Sequence, residues 1–222
     1  MSGPSRVLCF GTSNTWGSNP VDRSRHAAAV RWPGVMAAEL QGRIEIIEEG
    51  LRGRMIAFEE EASPGRRAMD YLRPCLMSHQ PLDMLIIELG TNDIKRKFGA
   101  TPQSIAKNLE ALIEVARGVP LTSPDDRQFE IVIVAPPGIG TLKAPFAPDF
   151  PDDAAANAAA LAPEYKALAA RTGCHFFDAG AIVTAPDTDG LHLEAAQHLT
   201  LGTALARFVA GTVLPAPLSA AR

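Results

Sequence analysis

The sequence predicts an α/β protein built on a parallel sheet with helices over both faces. Two observations carry that prediction. Five short apolar runs, at residues 6–10, 44–48, 84–89, 130–135 and 174–177, have the length and residue types of buried strands. Between them lie segments with apolar residues at helical spacing, and strands that alternate with helices argue for a parallel sheet covered on both sides.

The first run leads straight into Gly11-Thr12-Ser13-Asn14-Thr15-Trp16-Gly17. Gly11 can bend the chain at the strand's carboxyl end, and Ser13 then sits on the turn that follows. Residues 33–40 form a short helix with Pro33 in its first turn and Gly42 just past its end. Residues 66–77 put Met69, Leu72 and Leu76 on one face, with Pro74 expected to kink the helix or begin a new turn. The clearest helix spans 101–117. Thr101 can cap it, Pro102 suits the first position, and Ile105, Leu109, Leu112, Ile113 and Ala116 form one stripe ending at Gly118. Residues 152–171 carry Leu161, Tyr165 and Leu168 in register, with a break expected at Pro163. The last helix, 194–209, buries Leu201, Leu205 and Phe208.

Residues 136–153 are irregular and rich in Pro and Gly, and a loop of that length is expected to be functional. In it, Phe146, Pro148 and Phe150 could cover a site or bury against a neighbouring subunit. The chain after Gly211, with Pro215 and Pro217, reads as a loose or docking tail. No repeat or second domain is visible, so residues 1–222 read as one domain.

A formal net charge of −4 gives no basic footprint for nucleic acid or an anionic membrane surface. No apolar run approaches the 18 or so residues that span a bilayer, and no signal-peptide pattern precedes the first strand. Cys9, Cys75 and Cys174 are an odd set without C-x-x-C spacing, which points to reduced thiols rather than disulfides or metal ligands. A cytoplasmic protein is the expectation.

Ligands of open parallel sheets bind at the carboxyl ends of the strands, and each such end carries something polar. After strand one comes Ser13. After strand two comes Glu48-Glu49-Gly50-Leu51-Arg52-Gly53-Arg54, and after strand three Gly90-Thr91-Asn92-Asp93. Asp187-Thr188-Asp189-Gly190-Leu191-His192 precedes the last helix. A hydroxyl nucleophile, an imidazole base, an orienting carboxylate and oxyanion donors are the parts of a serine hydrolase. On a tight turn, Asp189 can hold one nitrogen of His192 and leave the other free for Ser13. Each block alone has an ordinary reading as a turn. Lys95-Arg96-Lys97 could greet an anionic substrate but reads first as a solvated face, and His192 and His198 fall on different helix faces, which argues against a metal pair.

Together the blocks resemble the SGNH (GDSL-type) hydrolases, from Val7 to about Val209, and details such as Thr15-Trp16-Gly17 and Phe177-Asp178-Ala179-Gly180 are similar to the bacterial arylesterase and acetylesterase branch. The resemblance implies a flavodoxin-like three-layer α/β/α sandwich with five parallel strands in the order 2-1-3-4-5. It implies Ser13 as nucleophile, His192 as general base and Asp189 as its orienting carboxylate. The oxyanion hole would comprise the backbone N–H groups of Ser13 and Gly53 and the side-chain amide of Asn92, with Trp16 as a wall of the substrate pocket. No metal or organic cofactor is needed, the partner is a small-molecule ester, and members of the branch are often homo-oligomers. The implied activity is hydrolysis of short-chain aryl esters or acetylated carbohydrates, with acyl transfer to an alcohol or peroxide as a side reaction. Thioester or lysophospholipid hydrolysis is the alternative within the family.

One residue departs from the family's pattern. Thr12 stands where the first block usually has Asp. A catalytically weak, ligand-binding member is the alternative this motivates. If Thr12 is a mild lesion, Thr12→Asp should raise kcat or leave it unchanged.

Overall fold

The computed structural model describes residues 4–122, 128–212 and 214. Its five strands are β1 (Ser5–Gly11), β2 (Ile44–Gly50), β3 (Met84–Glu88), β4 (Glu130–Ala135) and β5 (His175–Asp178). They form one sheet in the order β2-β1-β3-β4-β5, with every neighbouring pair parallel. Strand alternation sends Leu8, Phe10, Leu85, Ile87, Ile131 and Ile133 to one face, and Val7, Cys9, Met84, Ile86, Val132 and Val134 to the other.

The first face is covered by α3 (Ala68–His79), α4 (Pro102–Arg117) and α5 (Ala154–Thr172), and the second by α2 (Trp32–Glu39) and α6 (Ala195–Thr212). Each fully buried aliphatic or aromatic side chain contributes roughly 1.5–3 kcal/mol. That burial, rather than intrinsic propensity, selects these helices. Among the described residues, no helix is long and apolar enough to cross a membrane.

α3 and α5 run through Pro74 and Pro163 without interruption, so no new turn begins at Pro74 and the break expected at Pro163 does not occur. Each proline is exposed, so the carbonyl its missing N–H would have bonded faces water. In α5 the opposite side is held by Leu161, Tyr165 and Leu168, all fully buried. Thr101 caps α4 as expected, accepting from the Ser104 N–H at 3.2 Å. Pro215 and Pro217, on which the reading of the tail rests, lie outside the described residues.

Register fixes what shares the functional edge. Gly11 at the end of β1 pairs with Gly50 of β2 and Glu88 of β3. The segments starting at residues 12, 51 and 89 therefore leave the sheet side by side.

Candidate active site

The chain after β1 turns at once into a one-turn helix, α1 (Ser13–Trp16), with Ser13 at its first position. The His192 segment reaches it from the far end of the sequence. Asp189 Oδ1 accepts from the backbone N–H groups of Leu191 and His192, both at 2.8 Å, and Oδ2 lies 2.7 Å from His192 Nδ1. Gly190 makes this turn possible: its φ is 77°, and a Cβ there would sit 2.3 Å from the Thr141 carbonyl. With Nδ1 donating to Asp189, His192 Nε2 is an acceptor, and Ser13 Oγ lies 3.0 Å from it. Ser13, Asp189 and His192 are all buried. Burial pushes the Asp189 carboxyl upward, but the hydrogen bonds from His192 and the two backbone N–H groups outweigh that and hold its pKa below the ordinary value. A carboxylate that stays ionised can orient an imidazole and steady its protonated form.

A cavity of about 280 Å³ opens over this relay, lined by Ser13, Gly53, Asn92, Leu191 and His192 together with Phe146 and Phe150. All three expected oxyanion-donor residues thus border one space. Gly53 has φ 75° and faces Arg66, whose Nη1 a Cβ would approach to 2.8 Å. Asn92 Nδ2 donates to the Arg54 carbonyl at 3.1 Å; an amide nitrogen carries two hydrogens, so one remains for a ligand. Beneath it, buried Asp93 accepts from the Ile56 N–H at 2.9 Å and ties the Gly53 loop to the end of β3. Burial raises the Asp93 pKa to about 7.

Trp16 does not line the cavity. Its ring lies beneath the guanidinium groups of Arg25 and Arg52, at 5.2 and 4.9 Å. The aromatic wall comes instead from Phe146, set edge-on to His192 with ring centroids 5.1 Å apart. Nor is residue 95 solvated as its charge run predicts: Lys95 is buried, lines the cavity and lies 2.8 Å from Glu60. His192 precedes α6 rather than sharing it with His198, and His198 Nδ1 accepts the Trp32 N–H at 3.3 Å.

Two supporting residues carried no assigned role in the sequence pattern. Asn14 staples the two distant segments: its Nδ2 donates to the Leu191 carbonyl at 3.3 Å and its Oδ1 accepts from the Leu193 N–H at 3.0 Å. Glu88, the last residue of β3, answers the departure at position 12. Its Oε2 accepts from Thr12 Oγ1 at 2.8 Å, Thr15 Oγ1 at 2.9 Å and the Thr12 N–H at 3.2 Å. Burial raises its pKa to about 7. The carboxylate beneath the loop comes from the neighbouring strand, and Thr12 is bonded to it through both its hydroxyl and its N–H. A glutamate closing an otherwise apolar strand was the available signal.

Among the described residues, Glu49, Cys75 and His79 bring three possible metal-ligand atoms within 4.8 Å of one another. The Glu49 carboxylate is already engaged by His79 at 2.9 Å and Tyr71 at 3.3 Å, and burial pushes the Cys75 thiol up to about 12. None of the three lines the cavity.

Fold and site together define a flavodoxin-like α/β/α protein with a hydroxyl, an imidazole and a carboxylate aligned at the carboxyl end of its sheet. The chain belongs to the GDSL-like lipase/acylhydrolase family, whose model matches residues 9–199. Among solved structures it is similar to an aryl esterase of M. smegmatis, at 37% identity and a TM-score of 0.87, covering 95% of this chain and 100% of that one. It is also similar to two carbohydrate acetylesterase structures from Sinorhizobium meliloti. One is 32% identical with a TM-score of 0.87, over 94% of this chain and 99% of the other. The second is 36% identical with a TM-score of 0.85, over 93% and 99%. A search of curated proteins gives no match.

Proposed function

We propose that the protein is a serine esterase that hydrolyses short-chain acyl esters, either aryl esters or acetylated carbohydrates, through an acyl-enzyme. The observation that carries this reading is the unbroken line Ser13 Oγ, His192 Nε2, His192 Nδ1 and Asp189 Oδ2, at 3.0 and 2.7 Å. Membership of an acylhydrolase family and likeness to aryl esterase and carbohydrate acetylesterase structures support it.

In this mechanism Ser13 Oγ attacks the ester carbonyl carbon as its proton passes to His192 Nε2, while Asp189 steadies the imidazolium. The backbone N–H groups of Ser13 and Gly53 and the Asn92 amide hold the oxyanion. Collapse expels the alcohol, which takes the proton from His192. Water then gives its proton to His192, attacks the acyl carbon, and Ser13 leaves with that proton as the acid is released. An alcohol or peroxide in place of water gives acyl transfer. Residues 1–222 act as one domain in this reading, which also keeps a cytoplasmic site and a homo-oligomer.

A fluorophosphonate probe tests it. Covalent labelling at Ser13, lost in Ser13→Ala, together with at least a thousandfold loss of p-nitrophenyl acetate hydrolysis in Ser13→Ala and His192→Ala, is the expected result. Full activity in both variants would refute the assignment. A panel of p-nitrophenyl esters from acetate to palmitate separates the readings: a steep preference for acetate supports a short-acyl esterase, and a preference for long chains favours the lysophospholipase alternative.

A further inference from the structure

The mouth of the cavity carries more positive charge than its own carboxylates answer, in a chain whose formal net charge is −4. Arg23, Arg52, Arg66 and Lys95 line it against only Glu60 and Asp149. Glu60 is already shared among Lys95 at 2.8 Å, Lys97 at 2.6 Å and Arg66 at 3.6 Å, and Asp149 lies 3.9 Å from the same Lys95.

Arg23 and Arg52 differ from the other two. Among the described residues, neither has an acidic partner within ion-pair distance. They come from separate loops yet are tied together, since Arg52 Nη1 donates to the Arg23 carbonyl at 3.5 Å. Aromatic rings position both guanidinium groups: Arg52 lies 4.9 Å from the centre of the Trp16 ring, and Arg23 lies 5.8 Å from that of Phe146, the ring set against His192. Arg23 is held at φ 62°, a conformation that residues with a side chain rarely adopt. Arg52 directly precedes Gly53, so its charge stands at the edge of the proposed oxyanion loop.

We propose that Arg23 and Arg52 form an anion subsite, and that the preferred substrates are esters carrying a carboxylate or another oxyanion on the alcohol side. The inference rests on the short-acyl esterase reading: a short acyl group has no room for a charge, so the charge belongs to the leaving alcohol. A guanidinium fork matches the oxygens of such a group. Both arginines are exposed, so each contact is modest and screened by salt, but two in one cleft also raise the local concentration of an anionic substrate.

The matched pair 4-acetoxybenzoate and 4-acetoxybenzamide tests this, having the same acyl group and ring with and without the charge. At low ionic strength the wild type should favour the benzoate about tenfold in kcat/KM, mainly through KM. That ratio should fall toward one in 0.5 M NaCl and in the Arg23→Gln/Arg52→Gln double variant, and stay near ten in Lys97→Gln. A wild-type ratio of one or below, or a ratio unchanged in the double variant, overturns the subsite. Calorimetric titration with 4-hydroxybenzoate and 4-hydroxybenzamide reads the same preference without turnover. If neither ester is cleaved but the benzoate binds more tightly, the esterase reading fails and the anion site stands; if both are cleaved and bind equally, the reverse holds.

Discussion

Thr12 Oγ1 donates to Glu88 Oε2 at 2.8 Å, joining the residue before the candidate nucleophile to the end of the adjacent strand across 76 positions of sequence. The hydroxyl and the carboxylate belong to one buried cluster that also includes the Thr15 hydroxyl.

Thr12→Asp should therefore damage the protein instead of improving it. A second carboxylate would face buried Glu88, and two like charges about 3 Å apart cannot both ionise. We expect at least a tenfold loss of kcat on p-nitrophenyl acetate and a stability loss of about 2 kcal/mol in urea. Thr12→Asp/Glu88→Gln should recover most of both. Wild-type kcat in the single variant would show that the loop does not depend on this pairing.

Glu88 also gives stability a pH dependence of definite sign. Its pKa is raised from 4.5 to about 7 by burial, so the folded chain keeps a proton that the unfolded chain has released. The contribution is complete below pH 4.5 and is lost as pH rises to about 7, by about 3 kcal/mol in all. Asp93 titrates in the same direction, so the comparison is with Glu88→Gln, in which Asp93 remains. The unfolding free energy of wild type minus that of Glu88→Gln should decline between pH 4.5 and 8. A flat difference would show that Glu88 does not titrate in that range.

Asn92→Ala should lower kcat by 10²–10³ with little change in KM, as expected for a donor engaged chiefly in the transition state, worth about 3 kcal/mol. A pure rise in KM would assign Asn92 to ground-state binding, and steady-state kinetics on p-nitrophenyl acetate distinguishes the two.

Phe146→Ala enlarges the cavity beside His192. The ratio of kcat/KM for p-nitrophenyl hexanoate to that for the acetate should rise about five- to tenfold, because the removed ring vacates space for methylene groups. An unchanged ratio would place the acyl chain elsewhere in the cavity.

Much of this architecture could be read from residue patterns, for local reasons. The stripe from Ile105 to Ala116 and its flanking Thr101 and Gly118 define α4 without help from the rest of the chain. The turn from Asp189 to His192 was legible for a similar reason, since the bonds its carboxylate makes to the Leu191 and His192 N–H groups and to His192 Nδ1 lie within four residues. Pro163 misled because the rule against proline inside a helix ignores which side faces water. Trp16 and Lys95 misled for the opposite reason. Their surroundings are set by Arg25, Arg52 and Glu60, residues 9, 36 and 35 positions away, which adjacency in sequence does not reveal. Glu88 and Asn14 act through partners 76 and about 178 positions off.

The Asn14 staple has a consequence for biosynthesis. Ser13 emerges among the first residues of the growing polypeptide, while the segment that would arm it is translated some 180 residues later. In the proposed mechanism, a chain that lacks this segment is therefore inert. Reactivity in that mechanism waits for Leu191 and Leu193 to dock on an asparagine made near the start.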